Sequence, residues 1–95
     1  MSAEIEVIKR KIDECIQELS RFKMFSPEAR SAVEYLEKMK TMLGDLNKQK
    51  AQEIIKAFEE MHRRAQPYAA FIPKTMENAK FIKEWLEKKL PELPP

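Results

Sequence analysis

Leu43-Gly44-Asp45-Leu46-Asn47-Lys48-Gln49-Lys50 lies near the middle of the chain and decides between two architectures. Gly44 and Asn47 both tolerate the left-handed conformation that closes helices, and residues 47–50 are polar, so the stretch predicts a break. Against this, Leu43 and Ile54 are eleven residues apart, close to three whole turns, which keeps one apolar face aligned through an unbroken helix. A helix running from Pro27 to Arg64 would be about 57 Å long at about 1.5 Å per residue and would need a second chain to bury it. We read the stretch as a break, which gives an all-α antiparallel bundle of four helices near 2–24, 27–43, 46–65 and 75–89. The alternative is three helices with a long central helix forming a dimer.

Upstream of the break, Ala29, Ala32, Leu36, Met39, Leu43 and Leu46 recur in steps of three and four, and Val33, Tyr35 and Met42 widen that apolar face. The helix has a clear start in Phe25-Ser26-Pro27-Glu28: Ser26 is an N-cap, Pro27 is preorganised for the first helical position, and Glu28 suits the positive end of the dipole. Before it, Ile5, Ile8, Ile12, Cys15, Leu19 and Phe22 form one narrow stripe. Ser2 is the predicted cap of that first helix, with Glu4 and Glu6 in its opening turn.

Downstream, Ala51, Ile54, Ile55, Phe58, Met61, His62 and Ala65 share one face of a third helix, which Pro67 stops. The connector at 66–74 contains Tyr68-Ala69-Ala70-Phe71-Ile72, too apolar for an ordinary solvated loop, and is expected to lie against other parts of the fold. Thr75 is the predicted cap of a last helix carrying Phe81, Ile82, Trp85, Leu86 and Leu90 over a broad face. Pro91 ends that helix, and the Pro-rich tail at 91–95 is expected to fray. The whole of 1–95 reads as a single helical domain, without repeats or a separating linker.

Composition narrows the function classes. Eighteen Lys and Arg against sixteen Asp and Glu leave a net charge of +2, too balanced to require nucleic acid or an anionic membrane as partner. The only cysteine, Cys15, precludes an intrachain disulfide, and with no signal-like or membrane-spanning apolar run the expected compartment is cytoplasmic. High Glu and Lys with few Asn and Gln is a pattern met in thermophilic proteins.

Glu59-Glu60-Met61-His62 contains the Glu-x-x-His spacing of di-iron helical bundles, but those use two such motifs and this chain has one histidine. His62 is therefore read as a half-buried core-face residue. Cys15 sits in the isoleucine stripe, where a thiol behaves as a small hydrophobe. Gly-rich phosphate loops, nucleophile elbows and paired-cysteine zinc spacings are lacking. Arg10-Lys11-Ile12-Asp13 resembles the first helix of the small helical chorismate mutases, but no Arg is followed by Glu anywhere in the chain, so that family's Asp-x-x-Arg-Glu cluster has no counterpart and no active site carries over.

The expectation is a non-enzymatic helical protein-protein interaction module, or an accessory subunit of a larger complex, with no cofactor, no metal and no small-molecule substrate. Tyr68, Phe71, Phe81 and Trp85 are the predicted partner-binding residues, since aromatic side chains commonly anchor interfaces, whether with another protein or by self-association. The alternative is a nucleic-acid-binding accessory protein using Arg63, Arg64, Lys74, Lys80 and Lys83 where helices three and four meet. The last residues, Lys88 to Pro95, also present a basic residue ahead of prolines, a pattern that polyproline-groove domains bind.

Overall fold

The isoleucine stripe of the first segment becomes the centre of the molecule. A computed structural model describes residues 2–95, with side chains from residue 3 onward. In it, Ile8, Ile12, Cys15 and Leu19 are buried, with Ile5 and Phe22 half-buried at the two ends of the stripe. They line one side of α1 (Ser2–Ser20), which packs antiparallel against both α2 (Pro27–Met42) and α4 (Pro73–Lys89). The remaining helix, α3 (Lys48–Ala65), packs on α4 and touches α2 more sparsely. The protein is thus an all-α four-helix bundle, about 39 × 22 × 19 Å, with neighbours in the order α2, α1, α4, α3. The cap predicted at Ser2 lies outside the described side chains.

The break at 43–47 is real, but it is made differently from the left-handed closure expected. Leu43–Asp45 forms a single 3-10 turn, Leu46 is extended, and no described residue has a positive φ, Gly44 included. The next helix is restarted by Asn47, whose extended backbone lets its side-chain Oδ1 accept the Lys50 N–H at 2.8 Å. An Asx cap satisfies a helix-start amide that a continuous helix would have bonded internally, so local chemistry decides against the long rod. Where α2 and α3 do meet, Tyr35 is half-buried, and burial, reinforced by Glu53, pushes its hydroxyl above the ordinary tyrosine value.

At the other end of α2 the start is the predicted one: Pro27 is the first helical residue and Ser26 Oγ accepts the Ala29 N–H at 3.2 Å. The first helix, however, ends at Ser20 rather than near Met24. Tight turns follow, with Phe22 N–H donating to the Leu19 carbonyl and Phe25 N–H to the Phe22 carbonyl.

The last helix begins two residues earlier than expected, at Pro73, and Thr75 does not cap it. The cap is tertiary. Glu18, from the last turn of α1, accepts the Thr75 N–H through Oε1 at 2.6 Å and the Lys74 N–H through Oε2 at 3.2 Å. A carboxylate at the positive end of a helix dipole gains from both hydrogen bonds and field. One turn further along the same seam, the fully buried Asn78 donates from Nδ2 to the Lys11 carbonyl at 3.2 Å and to Glu14 Oε1 at 2.8 Å. A buried amide that finds partners at one alignment only fixes the register of α1 against α4.

The tail does not fray as expected. After a 3-10 turn at Leu90–Glu92, Leu93 packs against the core, and the Pro94 carbonyl accepts the Lys48 N–H at 2.9 Å. The tail thereby satisfies the first free amide of α3 through the Pro94 carbonyl, while the rings of Pro91, Pro94 and Pro95 stay exposed.

Candidate functional site

An up-and-down bundle places its first and third connections at the same end, and here both carry unburied apolar side chains. The α1–α2 turn exposes Met24 (88%) and Phe25 (74%), and the α3–α4 connector exposes Tyr68 (54%) and Phe71 (67%). That the two connections share an end follows from Glu18, beside the first turn, bonding the opening amides of α4 just beyond the second.

Local structure explains why each is left outside. The residue before a helix cap normally staples onto the fourth helical residue. In α2 that fourth residue is Arg30, so Phe25 finds no apolar staple partner there, and its ring meets Phe22 edge-on, centroids 6.1 Å apart. In the connector, Gln66–Phe71 winds as a 3-10 helix whose threefold repeat cannot turn all of its apolar residues inward. Ile72 is the one buried, Ala69 is half-buried, and Tyr68 and Phe71 face out. The expectation that the connector lies against the fold therefore holds for Ile72 but not for its aromatic residues.

The other two predicted anchors are placed elsewhere. Trp85 is half-buried and packs against the core, its Nε1 donating to Glu4 Oε1 at 3.4 Å. Lys89 reaches the same oxygen at 2.9 Å, and this contact holds the Glu4 carboxyl below its ordinary range. Phe81 is 45% exposed, with the Lys11 ammonium 4.4 Å from its ring centroid. Phe81 and Trp85 thus border the α1–α4 seam, whereas Tyr68 and Phe71 belong to the exposed end. Met24 and Phe25 were missed in the sequence reading. Their signal was two adjacent apolar residues beyond a completed stripe, ahead of a cap whose staple position is arginine.

Charge at this end is uneven. Its two stretches, residues 18–30 and 60–77, hold six cations (Arg21, Lys23, Arg30, Arg63, Arg64, Lys74) against four carboxylates, while twelve of each sign occupy the rest of the chain. Two of the four carboxylates are engaged. Glu18 holds the α4 amides, and Glu60 pairs with both Arg63 and Arg64, which depresses its carboxyl. Arg30 donates to the Lys23 carbonyl at 3.3 Å. Among the described residues, Arg21, Lys23 and Lys74 are exposed and form no ion pair.

The cations proposed for nucleic acid fall into three settings. Arg63 and Arg64 bind Glu60, Lys74 opens α4, and Lys80 and Lys83 border a shallow groove between α3 and α4 floored by Phe58 and Ala79. Lys83 lies 3.6 Å from both Glu59 and Glu87, so carboxylates interrupt the surface.

His62 borders that groove but is exposed, contrary to the half-buried position expected; Met61 takes the inward place, and the imidazole lies within 3.2 Å of the Gln66 amide. No group of three or more His, Cys, Asp or Glu among the described residues is arranged to hold a metal ion. Cys15 is fully buried, and desolvation pushes its thiol up to about 12, so its sulfur stays protonated near neutrality. No helix is long and apolar enough to cross a membrane among the described residues.

No family model matches this chain, and comparison with curated proteins and with solved structures likewise yields no match.

Proposed function

We propose that this chain is a non-enzymatic interaction module, an accessory subunit that docks on a protein partner through the end of the bundle bearing Met24, Phe25, Tyr68 and Phe71. One observation carries the reading: among the described residues, four of the six large hydrophobic ones left exposed by the fold share that end. The bundle buries its own core without them, so their exposure does nothing for folding and lowers solubility, whereas a partner that covers them gains about 25 cal/mol per Å² of apolar surface removed from water. The buried, protonated Cys15 and the solvent-facing, solitary His62 favour a binding role over a catalytic one.

The test is affinity capture from native, nuclease-treated lysate with the intact chain and with a Phe25→Ser/Phe71→Ser variant whose helicity and melting temperature are checked alongside. Protein partners retained by the intact chain and lost by the variant are the expected result. Partners that bind both proteins equally, or that vanish on nuclease treatment of the intact chain, would overturn the reading; the second outcome would favour nucleic acid.

A further inference from the structure

We infer that the partner surface accepted by this end is an acidic protein segment carrying apolar side chains; the inference rests on the interaction reading above and adds the partner's chemistry. The chain's entire formal excess of positive charge resides at the end that also exposes Met24, Phe25, Tyr68 and Phe71. Arg21 and Lys23 flank Phe22 and precede Met24 and Phe25 in the first connection, where cations and apolar residues interleave, and Lys74 closes the apolar run that holds Tyr68 and Phe71 in the second. Among the described residues these three cations lack carboxylate partners and are free to meet a ligand; unpaired cations such as Lys9, Lys38 and Lys56 occur elsewhere too, so it is the charge excess beside exposed apolar residues that sets this end apart.

A second copy docking end to end would bring the two positive ends together, a like-charge juxtaposition that such interfaces avoid. A segment with Leu or Phe at helical spacing and Asp or Glu between them meets both features at once: its apolar residues cover Phe25 and Phe71 while its carboxylates reach Arg21, Lys23 and Lys74. Charge-assisted hydrogen bonds formed as the apolar contact excludes water are stronger than those of an open surface.

The experiment titrates the intact chain into three fluorescently labelled helical peptides that share the same Leu and Phe positions and differ only between them, in Asp and Glu, in Ser and Gln, or in Lys and Arg. We expect the acidic peptide to bind about tenfold or more tightly than the neutral one, the basic one not to bind, and the preference to shrink as salt rises. Phe25→Ser/Phe71→Ser abolishes binding, and Arg21→Gln/Lys23→Gln/Lys74→Gln removes the acidic preference while keeping residual neutral binding. Equal binding of acidic and neutral peptides overturns the inference. So does the absence of any peptide binding, or binding instead of single-stranded oligonucleotides or phosphatidylglycerol vesicles through the same residues. Lysate partners that need Phe25 and Phe71 but are indifferent to the three cations would leave the interaction reading standing and remove only the acidic partner.

Discussion

Glu18 of α1 caps α4 by accepting the Thr75 N–H at 2.6 Å, across fifty-seven residues of sequence. The contact ties the end of the central helix to the start of the last one and sets the position of the connector that displays Phe71. Glu18→Gln keeps one acceptor and loses the charge, whereas Glu18→Ala loses both bonds. We predict a cost of about 0.5 kcal/mol for the first and about 1–2 kcal/mol for the second, read from urea midpoints. An alanine variant as stable as the parent would show that water replaces the carboxylate without loss.

Asn78 makes its two hydrogen bonds while fully buried, one of them to the Glu14 carboxylate. Asn78→Asp sets a carboxylate against both a carbonyl and another carboxylate, and should destabilise the fold by about 2–4 kcal/mol at neutral pH. The loss should shrink in acid, where protonation of the new side chain restores a donor. A pH series of chemical denaturation on parent and variant reads the difference.

Gly44 has an ordinary negative φ, and a Cβ built there meets nothing within 4 Å. Its conformational freedom is therefore needed only by the unfolded chain. Gly44→Ala should raise stability by about 0.4–1 kcal/mol with no change in helix boundaries, visible as a higher melting temperature.

Cys15 provides a pH signature. Burial raises its folded-state value from 9.0 to about 12, so the folded protein holds a proton that the unfolded chain releases earlier. The associated stability is fully present below pH 9.0 and is lost as pH rises toward 12. A Cys15→Ala variant should lack that alkaline component, although the cavity lowers its stability at every pH. A thiol reagent at neutral pH should label the parent only as fast as it opens; immediate labelling would contradict the burial.

Trp85 is held between the helices by packing and by Glu4, rather than displayed. Trp85→Ala should therefore cost about 2 kcal/mol of stability, less than the loss typical of a fully buried tryptophan. Phe25→Ser and Phe71→Ser, at exposed sites, should leave the melting temperature nearly unchanged. The contrast separates folding residues from candidate binding residues in a single thermal series.

Much of the helical framework was legible in local chemistry. The three-four rhythm of Ile8, Ile12, Cys15 and Leu19, the Ser26-Pro27 start and the Pro67 stop all act within about one turn of chain, so sequence order alone reveals them. The break at 43–47 was also visible, although Asn47 makes it by capping with its side chain and not by a left-handed backbone. Helical periodicity gives a residue's direction about its own axis, but not which neighbour covers it. That is why His62, expected to share the inward face with Met61, is exposed while Met61 packs on the core, and why Trp85 faces α1 rather than solvent. Likewise, Thr75 was the local candidate to cap α4, but a carboxylate fifty-seven residues upstream took that role. The candidate interaction surface was beyond local reading for the same reason. Met24 and Phe25 lie more than forty residues from Tyr68 and Phe71, and only the antiparallel packing of α1 on α4 assembles them, with the surplus cations, at one end.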